Sequence, residues 1–403
     1  MPTLHRVAVW LACAALWPLG VHAQELTDAQ LIEMILRDGA QARAIRTSVE
    51  VTRREQAART VFPNPGAAYS REGAGFTEFF QVEQPLPIFG TRAALARAGA
   101  AATATAEAER DARLWQLRAD AQMLVARLLA EQERLDATRA NIREIERIIA
   151  LLRIREKEGE GSRFDRLRVE QELAEAQQTA LDAAASSAEA RASITAVLAE
   201  GTRITRVSGA LYVDRALPPL DTLQARAFAV RSDLRALQSA SGRFRLEASA
   251  ARQMRLPAPT LAGGVKRAES ADGRESGGVF GINVTVPLFD TGRRDAARWL
   301  AEQERVDAER AFVAQSISAQ VTAASEIAAL RQDAVRAIDS SSPADELARI
   351  AEAAYTEGEL RILEFLDAHR TAARARVRAI DMRLAARLAQ IALERAVGDT
   401  LWP

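Results

Sequence analysis

Few side chains in this sequence have the types and spacing that catalysis requires. The single cysteine, Cys13, and two of the three histidines, His5 and His22, lie within the first 23 residues. A catalytic triad or a histidine metal site would therefore depend on His369 alone, which we expect to be an exposed side chain on a helix. Carboxylate pairs are frequent, but at 27% charged residues such pairs arise without a catalytic purpose. The sequence predicts no enzyme, no cofactor and no metal site.

A cluster of glycines resembles at first sight a phosphate-binding loop. The cluster stands before a strand and not a helix, and it lacks the Gly-Lys-Ser/Thr ending of such loops. Its members are Gly263, Gly264, Gly277, Gly278 and Gly281. Basic and acidic residues each number 54, so the chain has no basic excess for nucleic acid. We therefore predict neither a nucleotide site nor a nucleic-acid partner.

Residues 1–23 are typical of a cleaved secretory signal. A positive start, "MPTLHR", precedes an apolar run at residues 7–16, and a small-residue ending closes at Ala23. The run is shorter than the roughly 20 residues of a membrane-spanning helix, and no later stretch approaches that length. We predict export without a helical anchor and, because no cysteine follows Ala23, without an acyl anchor.

Three landmarks occur twice, about 200 residues apart, which predicts an internal tandem repeat. "PNP" at residues 63–65 matches "PAP" at 257–259, "PIFGTR" at 87–92 matches "PLFDTGRR" at 287–294, and Gly159 matches Gly358. We assign the first repeat to residues 24–219 and the second to residues 220–403. Each is expected to contain a leading helix, a strand pair, one very long helix, a tip and a returning helix.

The long helix of the first repeat is expected from about Thr91 to Lys157, because neither Gly nor Pro follows Gly99 in it. At ~1.5 Å per residue this is roughly 100 Å of helix. Steps of three and four place apolar residues at ten of twelve positions, as in a left-handed coiled coil. These positions are Leu114, Leu117, Ala121, Leu124, Leu128, Glu131, Leu135, Thr138, Ile142, Ile145, Ile149 and Leu152.

Each hairpin is expected to reverse at a glycine tip, "EGEGSRFDRL" at residues 158–167 and "TEGELRILEFL" at 356–366. Gly159 and Gly358 can adopt the left-handed backbone that ends many helices. Ser162, with Asp165 three residues later, resembles the start of a returning helix. The second tip has Arg361 in place of this serine, so we expect a weaker cap there.

Two strands per repeat are predicted from alternating residue types. Apolar Phe280, Ile282, Val284 and Val286 alternate with a mostly polar set, and Phe80 and Val82 alternate with Gln81 and Glu83. This alternation suits a membrane barrel with a wet lumen. Four strands cannot close a barrel, and open edges are not tolerated in lipid, so several copies must share one barrel.

The ends of the strands indicate an orientation. The turns near Arg71 and Ser270 would face the outside. Pro87 and Pro287 lie where strand must become helix, a place suited to a residue that interrupts the ladder of hydrogen bonds.

With its signal, its doubled pattern and the junctions "PLPIFG" and "VPLFDTG", the chain resembles the TolC-type outer-membrane efflux proteins. It is most similar there to the heavy-metal (cobalt-zinc-cadmium type) exporters. The resemblance implies a mainly α fold with a small β part, in which antiparallel coiled-coil hairpins form an α-barrel tunnel. It also implies a homotrimer with one 12-strand barrel, in the outer-membrane lipid of a Gram-negative bacterium. Such a duct passively conducts solutes from an inner-membrane pump and a periplasmic adaptor.

The resemblance further implies that the tips dock to the adaptor and close the duct. The docking residues would be Gly159, Gly161, Ser162, Asp165 and Gly358, and the gate residues Tyr355, Arg361, Glu364 and Asp367. The family's basic gate position falls on Leu360, so Arg361 is displaced by one residue. Three copies of Glu364 and Asp367 in a ring would attract cations. The alternative reading of these two acids is a solvated helix start, where the helix dipole favours negative charge.

Two other functions remain open from the sequence. A soluble periplasmic coiled-coil adaptor or spacer would explain the hairpins but not the apolar strand faces. Secretion of polypeptides would use the same duct as export of small solutes. The substrate does not follow from the chain, because a passive tube conducts what its pump delivers.

Overall fold

The computed structural model describes residues 26–73, 77–270, 272–341 and 344–402, so the predicted signal segment lies outside the described residues. The elements follow one another along the chain as β1 (Leu26–Thr27), α1 (Asp28–Asp38), α2 (Ala40–Ala58), β2 (Gly66–Glu72), β3 (Thr77–Pro85), α3 (Thr91–Glu158), α4 (Arg163–Thr195), β4 (Val207–Ser208), α5 (Leu220–Val230), α6 (Ser232–Gln253), β5 (Ala258–Ser270), β6 (Gly273–Thr285), α7 (Arg293–Ser341), α8 (Ala344–Thr356) and α9 (Ile362–Val397). The fold is mainly helical, as predicted.

Helix α3 spans 68 residues without interruption, which confirms the long helix of the first half. It begins after Gly90 and ends at Gly159, and both glycines have the positive φ that stops regular helix. All twelve positions of the predicted apolar seam are buried or half-buried. The seam therefore faces other elements, and α4 returns against α3.

In the second half, the stretch predicted as one very long helix comprises α7, of 49 residues, and α8, of 13 residues. Ser342 and Pro343, which stand between them, lie outside the described residues, so one continuous helix in this half stays a prediction. Helix α9 then returns over 36 residues.

The helices pack mainly through α3 and α7. Helix α3 contacts α2, α4, α6 and α9, and α7 contacts α5, α6 and α9. Within the described part of the chain, α4 packs closely only against α3. An ion pair joins the end of α2 to α6, in which Nη1 and Nη2 of Arg59 contact the buried Glu247 carboxylate at 2.7 and 2.8 Å. No described helix is both long and apolar enough to cross a membrane.

The four longer strands form one antiparallel sheet in the order β2-β3-β5-β6. The central pair, β3 and β5, joins the two halves of the chain, with Phe80 opposite Val265. Strands β2 and β6 are the edges, and neither has a second neighbour among the described residues.

One face of this sheet is apolar and open to solvent. Phe80 is 55% exposed, Phe280 75% and Ile282 61%, and the register places all three on the same face. Gln81 and Asn283 lie on the opposite face. The alternation predicted from the sequence is therefore present in the sheet.

The sheet is tightly spaced at one glycine. A Cβ atom on Gly264 would lie 2.2 Å from the Phe80 carbonyl oxygen, whereas one on Gly263 would meet nothing within 4 Å. Gly264 therefore allows a close approach of β5 to β3.

Candidate functional site

The two hairpin tips lie side by side at the end of the helices farthest from the sheet, and we call this region the tip junction. It comprises the ends of α3 and α8, the turns after them, and the first turns of α4 and α9. Gly159 and Gly358 end α3 and α8 with φ of 80° and 82°. A Cβ atom on Gly161 would lie 2.8 Å from the Glu156 amide nitrogen, so that turn needs a small residue.

The two returning helices start differently. Ser162 caps α4, because its hydroxyl accepts a hydrogen bond from the Phe164 amide at 3.2 Å. Arg361 precedes α9, and its amide donates to the Glu364 carboxylate at 3.4 Å. Glu364 therefore supplies one half of a capping box, whereas the bond that an N-cap serine would accept from the first turn is missing, as expected for the weaker cap. Glu364 and Asp367 are both exposed.

Tyr355 lies inside the tip junction rather than on its surface. It is 8% exposed, and its ring stacks on Phe365 with 4.9 Å between centroids. Burial raises the pKa of Tyr355, and the negative charge of Asp165 raises it further. The charge of Asp165 in the first tip thus acts on Tyr355 of the second, whereas Arg361, Glu364 and Asp367 are exposed to solvent.

His369 is buried, so the prediction of an exposed side chain is wrong. It is 9% exposed and contacts Phe365 edge-on, with 4.5 Å between ring centroids. The two residues are four apart on α9 and share the face that packs into the tip junction. Burial lowers the pKa of His369, while Glu144, whose carboxylate lies 3.9 Å from Nδ1, acts in the opposite direction. Its Nε2 is buried without a hydrogen-bond partner among the described residues.

Arg155 joins the two tips, and the sequence analysis did not identify it. From the last turn of α3, its Nη1 donates to the Tyr355 carbonyl at 3.3 Å and its Nη2 donates to the Thr356 carbonyl. Its guanidinium carbon also lies 5.7 Å from the centre of the Tyr355 ring. These carbonyls end α8, where helix carbonyls lack partners and the helix dipole favours a positive charge. We call this contact the Arg155 clamp.

Other ion pairs hold each tip or connect the returning helices. Arg166 contacts Glu156 at 2.6 Å and Glu170 at 2.9 Å, which closes the first tip on itself. Arg370 of α9 contacts Glu172 of α4 through both carboxylate oxygens. The second contact holds the two returning helices together next to the tip junction.

The predicted strand-to-helix junctions form a second region, at the helical end of the sheet. Pro87 lies between β3 and α3, and Pro287 lies between β6 and α7. Apolar side chains next to both prolines are exposed, including Phe89 at 50% and Phe289 at 100%. Within the described ranges, no group of three or more His, Cys, Asp or Glu residues could hold a metal ion.

Comparison with known proteins gives a consistent result. The chain is similar over 99% of its length, and over 99% of the other chain, to CusC, with 15% identity and a TM-score of 0.71. A membrane protein from Pseudomonas aeruginosa is similar over 98% of this chain and 99% of its own, with 21% identity and a TM-score of 0.71. The open state of the Neisseria gonorrhoeae MtrE outer membrane channel is similar over 99% of this chain and 97% of its own, with 19% identity and a TM-score of 0.70. No curated protein matches the chain significantly.

The family comparison covers most of the chain in two stretches. The model of the family described as outer membrane efflux protein matches residues 44–200 and 223–399. The two stretches fall in the first and second halves of the chain, on either side of the segment that precedes α5. This chain belongs to the outer membrane efflux protein family.

Proposed function

We propose that three copies of this chain form a continuous duct through the outer membrane and the periplasm. In this proposal the four strands of each copy complete one 12-strand barrel, and the hairpins form an α-barrel tunnel. The two halves of each chain, residues 24–219 and 220–403, act as a tandem repeat. The duct is passive and passes on what an inner-membrane pump and a periplasmic adaptor deliver.

The observation that carries the proposal is the open sheet. Its apolar face exposes Phe280 and Ile282, and its edges β2 and β6 each lack a second neighbour among the residues that the structure describes. Exposed apolar strands with free edges are an aggregation hazard in water, and in lipid each unpaired backbone group is costly. Pairing of β6 with β2 of a neighbouring copy satisfies the edges, and membrane lipid covers the apolar face. A soluble adaptor or spacer, the alternative, would leave this face uncovered.

The tip junction is our proposed gate and adaptor contact. Tyr355 is buried between the two tips, where it stacks on Phe365, and the Arg155 clamp adds hydrogen bonds between the hairpins. Opening requires the second hairpin to move away from the first, which breaks these contacts. Gly159 and Gly358 at the ends of the tips are exposed, so they are accessible to an adaptor.

Metal cations are the cargo that we propose, on the junction resemblance to heavy-metal exporters and on the exposed Glu364 and Asp367 near the second tip. A strain that lacks the gene should become sensitive to cobalt, zinc or cadmium, and the cloned gene should restore growth. Unchanged metal tolerance would contradict this cargo but not the duct itself.

The duct is tested by fractionation of cells that express the full chain. We expect it in the outer-membrane fraction, and after detergent extraction we expect it to elute as a trimer in gel filtration. A periplasmic binding protein and a known porin serve as controls for the two fractions. Recovery as a water-soluble monomer in the periplasm would refute the duct and favour the soluble adaptor.

A further inference from the structure

The end of the sheet farthest from the helices carries a group of charged residues on the apolar face. The register pairs Arg71 of β2 with Glu78 of β3, and Glu78 with Arg267 of β5. One rung further out, Glu269 of β5 pairs with Arg274 of β6. We call these five residues the rim cluster.

Side-chain alternation places the rim cluster on the same face as the exposed apolar residues. Residues 267 and 265 both point to one side of β5, because side chains two apart share a face. Tyr69 and Val265 therefore continue the rim cluster toward the helices, and the Tyr69 hydroxyl donates to the Glu78 carboxylate at 3.2 Å. The face changes from charged to apolar within one rung.

The rim cluster surrounds a recess of about 240 Å³. Arg71, Arg267 and Arg274 are all exposed. In the part of the chain that the structure describes, Arg267 and Arg274 form no ion pair with the carboxylates around the recess. These two residues lie on diagonal positions of neighbouring strands, where Cβ atoms are about 7–8 Å apart. Both guanidinium groups can therefore reach one ligand.

The chemistry of the rim cluster suits phosphate. Glu275 also borders the recess, so three arginines meet three glutamates there, and attraction for phosphate comes from the guanidinium donors and not from a net charge. A guanidinium binds phosphate oxygens through two parallel hydrogen bonds, which makes arginine the preferred residue for phosphate recognition. Apolar Val265 and Phe280 lie below, where acyl chains would contact the sheet.

We propose that the rim cluster binds the phosphate groups of an anionic glycolipid in the outer leaflet of the membrane. The inference rests on the proposed duct, which places this end of the sheet at the cell exterior. Arg267 and Arg274 hold phosphate at the headgroup level, and the apolar rungs beneath contact the acyl chains of the same lipid. This lipid contact fixes the depth of the sheet in the membrane.

The first test uses the unmodified protein. Full-length protein, extracted from outer membranes and shown to be trimeric, is placed in phosphatidylcholine nanodiscs with lipid A that carries both phosphates. A parallel sample contains the same lipid with its phosphates removed. Native mass spectrometry should count more phosphorylated than dephosphorylated lipid on the protein, and excess inorganic phosphate should not displace it. Equal binding of both lipids, or full displacement by inorganic phosphate, would overturn the inference.

The second test uses a matched pair of variants. R267Q/R274Q should weaken binding of phosphorylated lipid A by roughly 30-fold, at about fivefold for each arginine near a membrane surface. K266Q is the control, because Lys266 is the neighbour of Arg267 and the register places it on the opposite face. It should leave binding unchanged. An equal loss in K266Q, or no loss in R267Q/R274Q, would refute the site.

Failure of this inference can be separated from failure of the duct. If the protein is trimeric in the outer membrane and binds phosphorylated and dephosphorylated lipid A equally, only the lipid site is wrong. If no trimer is recovered from the outer membrane, the duct is wrong and the lipid site with it.

Discussion

Removal of the Arg155 guanidinium should open the proposed gate. Arg155 donates to the carbonyls of Tyr355 and Thr356 and so joins the two tips by hydrogen bonds. A hydrogen bond from a charged group contributes about 1.5–3 kcal/mol. Two bonds at the lower end would give about 3 kcal/mol, and because Arg155 is only half-buried and its bond to Tyr355 is 3.3 Å long, we expect Arg155→Ala to cost roughly 2–3 kcal/mol in the closed form.

This cost falls on the closed form only, because the bonds are broken when the hairpins separate. At about 1.4 kcal/mol per factor of ten, the closed-to-open equilibrium should shift by roughly 30- to 150-fold. The measurement is single-channel recording in planar lipid bilayers, in which the variant should show a higher open probability and larger conductance steps. Arg155→Lys keeps the charge but cannot reach both carbonyls, so an intermediate effect is expected.

Arg153→Ala is the matched control. Arg153 lies two residues earlier on α3, is exposed, and contacts Glu170 at 3.1 Å within the same hairpin. It removes the same charge from the same helix without touching the second tip. Equal recordings from unmodified protein and Arg155→Ala, or equal effects of both alanine variants, would show that the Arg155 clamp does not hold the gate closed.

The remaining predictions concern stability and membrane insertion. Burial lowers the pKa of His369 in the folded protein, so below the usual histidine pKa of about 6.5 the unfolded chain binds more protons than the folded one. Stability should therefore fall as pH falls below that value, by at most about 1.4 kcal/mol per pH unit. Thermal melts of His369→Gln should lack this part of the pH dependence. Arg59→Ala should lower the free energy of unfolding by about 3 kcal/mol, because it leaves the Glu247 carboxylate buried and unpaired; denaturant melts that match the unmodified protein would contradict this. Gly264→Ala should reduce the yield of membrane-inserted protein on heat-modifiability gels, whereas Gly263→Ala should not, and equal yields would mean that β5 does not approach β3 as closely as described.

The parts of the fold that depend on local sequence were predictable. Helix α3 was predicted to within one residue at its C-terminal end, because it lacks internal breakers after Gly99 and repeats apolar residues every three or four positions. The strand faces were predictable for the same reason, since alternation is a local pattern.

The parts of the site that depend on distant contacts were not predictable. The partners of Arg155 lie 200 and 201 residues away in the chain, so no local pattern marks the Arg155 clamp. The burial of His369 likewise depends on how α9 meets α3 and α8. One weak signal existed, since Phe365 and His369 are four apart and could have been read as one buried face.

The unpaired edges β2 and β6 have a consequence for biogenesis. Each edge strand has one neighbour among the described residues, so in the proposed trimer the stability of one copy depends on the concentration of the others. Completion of the barrel then requires three chains to assemble, and the rate of this assembly rises steeply with the concentration of newly exported protein. Cells that make little of it would leave most chains as incomplete subunits for proteases to degrade, and expression would show a threshold rather than a gradual response.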